Sequence, residues 1–305
     1  MLTYEKIVRK PKHFQSFTGV TVQQFDFLSQ KIESKYKDAE ERRLSKRKRK
    51  RDIGAGHPFS LSVKNRILML LIYYRMYTSY SLLGFLFDLD AANVYRDIRY
   101  MEPAVRKCIQ IPAKKYADAK KATTLEELEL YFPELKVIID ASEQQIPRPK
   151  DKKKRKTHYS GKKKRHTVKT QYAVNLSGEI IHKPPHSPGR PHDYNMFKKK
   201  HPVLSDGLQT LADLGYKGME NDYPAMNPVL PHKKSKGHDL TPEQKQFNHN
   251  HSRIRITVEH SIARIKKFGI MRDIFRNMLC RYDRINDIVC GIVNFRIEWK
   301  MIVIP

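Results

Sequence analysis

KVIID, residues 136–140, reads as a short buried strand ending in a carboxylate: three β-branched apolar residues, Val137, Ile138 and Ile139, run into Asp140. The same texture returns in QTLAD, residues 209–213, where the acid is Asp213 and Gly215 and Gly218 stand just beyond. Between them, residues 167–175 and 179–182 read as a β-hairpin closed by Ser177-Gly178. A Gly/Pro-rich loop, PPHSPGRPHD, then ends at Asp193, which reads as the cap of a helix over 194–200 or, alternatively, as an active-site neighbour. A long helix from about 242 to 268 carries Glu259. A last amphipathic helix, about 283–303, has Ile285, Ile288, Val289, Ile292 and Ile297 as its apolar stripe. Strand, hairpin, helix, strand, helix describes an α/β mixed sheet flanked by helices.

Upstream the pattern is helical. Thr21 is placed to cap a helix over 21–40 in which Val22, Phe25, Leu28 and Ile32 repeat at helical spacing. Eight of the ten residues 42–51 are basic, and Gly54, Gly56 and Pro58 close that run as a loop. Three helices follow. Ser62 caps the first, with Ile67, Leu68, Leu71, Ile72 and Tyr74 on its apolar face, and Thr78 is read as the cap of a shorter second. A break at 88–90 leads to the third, where Val94, Ile98 and Met101 face inward and Arg96, Arg99 and Tyr100 do not. Pro103 and Pro112 bracket the end of this unit, and Thr124 caps an acidic stretch leading into the second domain. Two helices joined by a tight turn fit a helix-turn-helix module, and equally a plain three-helix bundle.

The charge separates those readings. The chain has 305 residues, enough for about two domains. It carries 60 Lys and Arg against 32 Asp and Glu, a net +28, which points to a polyanionic partner rather than a small metabolite. The longest apolar run, 67–74, falls far short of the roughly 20 residues that span a bilayer, and residues 1–10 lack a signal-peptide pattern. Cys108, Cys280 and Cys290 are too few and too scattered for a disulfide scaffold or a thiolate zinc site. A reduced, intracellular protein that meets nucleic acid is expected. Between 148 and 169 there are 12 Lys or Arg in 22 residues, with His158, Tyr159 and His166 interleaved. Such a segment is either a solvated loop or a clamp on the DNA backbone, and it leaves directly from the strand bearing Asp140. Lys152, Lys153, Lys154, Lys156, Lys162, Lys163, Lys164 and Arg165 are its candidate DNA contacts, as Arg96 and Arg99 are those of the helical module.

An open α/β sheet presents functional groups just outside the carboxyl ends of its strands. Asp140, Asp213 and Glu259, from three separate elements, could there hold two divalent cations about 4 Å apart and act on a phosphodiester. Mg²⁺ or Mn²⁺ suits all-oxygen ligands, so no His or Cys is required. Taken singly, each Asp is more simply a turn or cap residue; the combination with a +28 charge and a helical module points to chemistry. On a helix Arg255, Glu259 and Lys266 lie within about 60° of one another, and a cation on that face would meet a bound phosphate. The plainer alternative is an Arg255–Glu259 ion pair worth ~0.3 kcal/mol. Glu143 is read as a supporting residue, and His249 and His251 as surface or DNA-facing rather than zinc ligands.

Several long motifs occur in order: IDASE (139–143), YSGKKKRHTVKTQ (159–171), PGRPHD (188–193), LADLGYKG (211–218), LTPEQKQFN (240–248), SRIRITVEHSIARIKKFGIM (252–271) and FRN (275–277). Over roughly 58–300 the chain thereby resembles the DDE transposases of bacterial and archaeal insertion sequences, specifically the insertion-sequence-five family. The resemblance implies an N-terminal helix and basic linker (1–57), a helix-turn-helix domain (58–112) and an RNase H-like catalytic domain (125–305). It makes Asp140, Asp213 and Glu259 the metal-binding triad, 73 and 46 residues apart. Arg255, Glu259 and Lys266 fit the family signature Tyr-x2-Arg-x3-Glu-x6-Lys, with Ser252 where tyrosine is usual. It implies binding of terminal inverted repeats, metal-dependent cleavage and joining of double-stranded DNA, a dimer or larger synaptic assembly, and a cytoplasmic, nucleoid-associated protein. The alternatives are a transposase-derived sequence-specific DNA binder without catalysis, and a host RNase H-like nuclease, which leaves the helix-turn-helix unexplained.

Overall fold

The computed structural model describes residues 1–45, 52, 59–202, 207–235 and 239–303. Most of the basic run 42–51 and the loop containing Gly54, Gly56 and Pro58 lie outside the described residues. The chain divides into two units, and each has its own core.

The first unit takes in Met1–Gln110 and the short Lys267–Ile270 segment. Helices α1 (Tyr4–Ile7), α2 (Pro11–Thr18) and α3 (Val22–Ser45) precede the three-helix module and pack in the same unit. Thr21 and Gln24 bond each other's backbone amides at 3.2 and 3.0 Å, a reciprocal cap that starts α3. Helix α4 (Val63–Met76) begins on Ser62, whose hydroxyl accepts from the Asn65 amide, and is buried continuously from Asn65 to Tyr74. Its one buried cation, Arg66, is matched by Asp97 at 3.1 Å and the Tyr36 hydroxyl at 2.7 Å. Helix α5 (Tyr80–Phe87) is capped by Ser79, not Thr78: the Ser79 hydroxyl accepts from the Leu82 amide at 3.1 Å. Helix α6 (Ala91–Cys108) runs straight through Pro103, so that proline does not mark its end. The turn between them is tight, because a Cβ on Gly84 would lie 2.3 Å from the Leu89 carbonyl. Val94, Ile98 and Met101 are buried on α6, and Arg96 and Arg99 are exposed.

The second unit takes in Ile111–Lys266 and Met271–Met301 and so begins ahead of residue 125. Helices α7 (Pro112–Ala119) and α8 (Leu125–Tyr131), the latter capped by Thr124, lead into the sheet. Its strands are β1 (Lys136–Gln145), β2 (Tyr159–Ser160), β3 (Arg165–Asn175), β4 (Ile180–His182), β5 (Ser187–Pro188), β6 (Gln209–Leu211) and β7 (Pro228–Val229). The order is β2-β3-β1-β6-β7, with β4 and β5 also pairing β3. The β3–β4 hairpin turns at Gly178, whose φ of +85° favours glycine. β1 is antiparallel to β3 and parallel to β6, which makes the sheet mixed. On one face Val137, Ile139, Ala173 and Ile181 pack with Leu128, Phe132, Phe197 and Tyr216, drawn in part from α8 and from α10 (Asp193–Lys200). Beyond the short α11 (Met219–Asp222), helices α12 (Pro242–Lys266), α13 (Gly269–Arg272) and α14 (Tyr282–Val303) complete the chain. α12 packs on β1 and β3, and from α14 Asn286 reaches Tyr172 and Asn294 clasps Ile180. Helices, sheet and helices in this order form an RNase H-like domain. Among the described residues no helix is long and apolar enough to cross a membrane.

The basic segment is not a loop. Asp151 caps a helix, α9 (Lys152–His158), by accepting from the Lys154 amide at 2.8 Å, and β2 and β3 follow as a ribbon.

Candidate active site

Asp140 does not terminate β1, as the sequence pattern predicts. The strand continues to Gln145 because its pairing with β3 runs from Val137 to Gln145. The parallel pairing with β6 covers only Lys136 to Ile138. Asp140 therefore sits two residues past the point where the parallel neighbour leaves, fixed by the β3 ladder and open on the other side. Asp213 is two residues past the end of β6, where its Oδ1 accepts from the Gly215 amide at 2.8 Å and starts a turn. The register thus brings both aspartates to the same end of the parallel strands.

Glu259 and Lys266 reach that place from α12: together with Asp140, Glu143, Asp193, Lys162 and Lys163 they line one cleft. Arg255 does not pair with Glu259 along its helix. Its Nη2 lies 3.6 Å from Asp140 Oδ2. Asp193 is not the cap of α10; its carboxylate accepts from Lys169 Nζ at 3.0 Å. Lys169 is buried and also faces Glu143 at 3.4 Å, while Thr167 donates to the other Glu143 oxygen at 2.9 Å. His251 is buried, with Nε2 3.1 Å from the Val229 carbonyl oxygen, and His249 is exposed. Of the candidate DNA contacts, Lys152, Lys153, Lys154 and Lys156 stand exposed on α9. Lys162, Lys163 and Lys164 form the β2–β3 turn, and Arg165 donates to Gln145 Oε1 at 2.7 Å. Lys169 carries no signal in the sequence, and of the two readings open for Asp193, cap or active-site neighbour, the structure places it in the cleft with Asp140.

Burial pushes the Asp140 carboxyl up to about 6, and the neighbouring Asp213 and Asp193 add to the rise against the pull of the Ala141 amide and Arg255. Burial and the nearby Lys163 lower the Lys266 ammonium below its usual range, opposed by Asp140 and Glu143. Ionising Asp140 therefore costs the fold something: nothing below about pH 4, progressively more toward pH 6, and the full amount above it. Asp140→Asn is expected to stabilise the metal-free protein at pH 8 by roughly 1–3 kcal/mol and to leave it unchanged near pH 4. Thermal melts in EDTA at the two pH values measure this, and equal shifts at both would refute the charge origin.

Among the described residues no three His, Cys, Asp or Glu side chains are gathered closely enough to enclose an ion as they stand. The donor chemistry nevertheless fits a divalent cation. The donors are all carboxylate oxygens, two aspartates repel each other across the cleft, and the charge now facing Asp140 is a guanidinium.

A helix-turn-helix unit followed by an RNase H-like sheet with acids at the strand ends defines a class of proteins that process nucleic acid. Residues 139–294 match the DDE superfamily endonuclease family and residues 59–111 match the helix-turn-helix of DDE superfamily endonuclease. The chain is 30% identical over 289 residues to a "Probable transposase for insertion sequence element IS702" of Microchaete diplosiphon, covering 95% of this chain and 96% of that one. It is 24% identical to a "Putative transposase for insertion sequence element IS112" of Streptomyces albus G, over 87% of each. No solved structure gives a significant match. The chain belongs to the DDE superfamily of endonucleases, among the transposases of insertion sequences.

Proposed function

We propose that the helix-turn-helix unit binds the terminal inverted repeats of an insertion sequence and that the RNase H-like unit cleaves the DNA ends and joins them to target DNA. The observation that carries this reading is the shared cleft of Asp140, Glu259 and Lys266, with Asp213 close enough to raise the Asp140 pKa. Asp140, Asp213 and Glu259 would hold Mg²⁺ or Mn²⁺, as two ions, and those cations supply positive charge to the phosphate oxygens as the phosphodiester breaks. Lys162 and Lys163 draw the backbone into the cleft, and Lys266 offsets charge on the reacting phosphate. Water attacks first and breaks a phosphodiester to leave a 3′-hydroxyl on the element end; that hydroxyl then attacks a target phosphodiester, whose own 3′-oxygen departs as the new bond forms. Pairing two ends calls for a dimer or larger synaptic assembly.

The test is strand transfer from a pre-cleaved element-end duplex into plasmid DNA with Mg²⁺ or Mn²⁺. Joined product is expected; end binding without product would leave a sequence-specific DNA binder. In the same system Arg96→Ala and Arg99→Ala should each cost ~1–3 kcal/mol on the terminal repeat and relax its discrimination from scrambled duplex. A gel-shift loss equal on both duplexes would assign the two arginines to phosphate instead.

A further inference from the structure

Beside the acid cleft, α9, β2, β3 and the loop before α10 line a second recess of about 870 Å³ that opens widely to solvent. This lies within the roughly 300–1,000 Å³ of sites that hold small organic ligands. Its walls carry Arg148, Arg155, Lys156 and Arg190, and its aromatic surface is Tyr159 with His166, ring centroids 5.6 Å apart and 72° between planes. Tyr159 is 43% exposed, its ring in no packed core. The wall is built, not incidental. The Arg190 amide donates to the Thr157 carbonyl at 3.1 Å and the Gly189 amide to that of Thr167 at 2.9 Å. A Cβ on Gly189 would fall 1.8 Å from Thr167 Oγ1, so the loop approaches this closely only with glycine.

A duplex backbone is held by cations on an open surface and needs neither a recess nor a ring. An open recess that sets an exposed aromatic face among cations matches a nucleotide taken out of the stack: the base has a π-face and its phosphates are anionic. Burial and the nearby Arg148, His158 and Arg155 lower the His166 imidazole below its usual range, and its ring adds aromatic surface beside Tyr159. The position fits as well. Lys162 and Lys163, in the turn that joins β2 to β3, line the acid cleft, and Tyr159 and His166 face each other on the two strands that this turn connects.

We propose that this recess receives an unpaired nucleotide of the strand whose phosphate lies in the acid cleft, its base stacked on Tyr159 and its phosphates among the arginines. This rests on the DNA-cleaving reading above. The probe is a short oligothymidylate carrying one central 2-aminopurine, alone and annealed to its complement, titrated with the full-length protein in EDTA. Quenching of the single strand is expected. Tyr159→Ala should weaken single-strand binding roughly tenfold and abolish the quench while changing duplex affinity less than about twofold, and Tyr159→Trp should restore both. Unchanged single-strand binding in Tyr159→Ala, or an equal loss on both forms, would overturn the proposal. Wild-type protein that binds the duplex and not the single strand defeats the recess alone; protein that binds neither defeats the DNA-processing reading with it.

Discussion

Replacing Asp140, Asp213 or Glu259 by Ala, one at a time, is expected to lower cleavage and strand transfer by roughly a thousandfold or more while leaving end binding intact. No one of these side chains holds a core together. Glu259 is exposed, Asp213 closes a surface turn, and Asp140 is fixed through its backbone by the β3 ladder, so the loss would be of chemistry and not of fold. Lys266→Ala should fall short of that, at about a hundredfold, since it removes one charge and leaves the carboxylates. Time courses on a pre-cleaved and on an intact end duplex separate joining from cutting. Near-wild-type joining by any one of the three acid variants would remove that residue from the triad.

Changing Lys152, Lys153, Lys154 and Lys156 together to Ala should flatten the slope of log K against log salt on duplex DNA by roughly 2–4 units. These four stand exposed on a helix of seven residues, where Lys152 and Lys156 face each other one turn apart and repel. That helix is held by the Asp151 cap and by the Arg190 amide on Thr157, neither of which the substitutions touch. The variant keeps its fold and loses phosphate contacts, and the weakening should be similar on repeat and non-repeat duplex. A salt titration with the same slope as wild type would mean that α9 does not touch DNA.

Much of this was written in local pattern. The β-branched runs at 136–140 and 209–213, the Ser177-Gly178 turn and the α12 spacing of Arg255, Glu259 and Lys266 each announce an element or a face within a few residues. What escaped depends on partners distant in the chain. Asp140 reads as a strand end because the residues after it are polar, yet β3 carries the strand on to Gln145. Asp193 looks like a cap until Lys169, 24 residues earlier, is placed beside it. The cation run is the local exception: Asp151, directly ahead of it, caps it into a helix whose lysines stay exposed.

Asp140 and Asp213 each already spend one oxygen on the backbone: Asp140 Oδ1 accepts from the Ala141 amide at 2.7 Å, and Asp213 Oδ1 from the Gly215 amide at 2.8 Å. Both carboxylates are thereby held in one orientation with one oxygen turned away from the backbone, which at Asp140 faces Arg255 Nη2 at 3.6 Å, a one-toothed grip rather than a two-toothed one. A large ion that collects six to eight oxygens, often two from one carboxylate, finds too few donors here, whereas a small octahedral ion that keeps its own waters needs no more. In the proposed metal site these two backbone amides act as a sieve for ionic radius: calcium should bind loosely and compete poorly, and magnesium should fill the site.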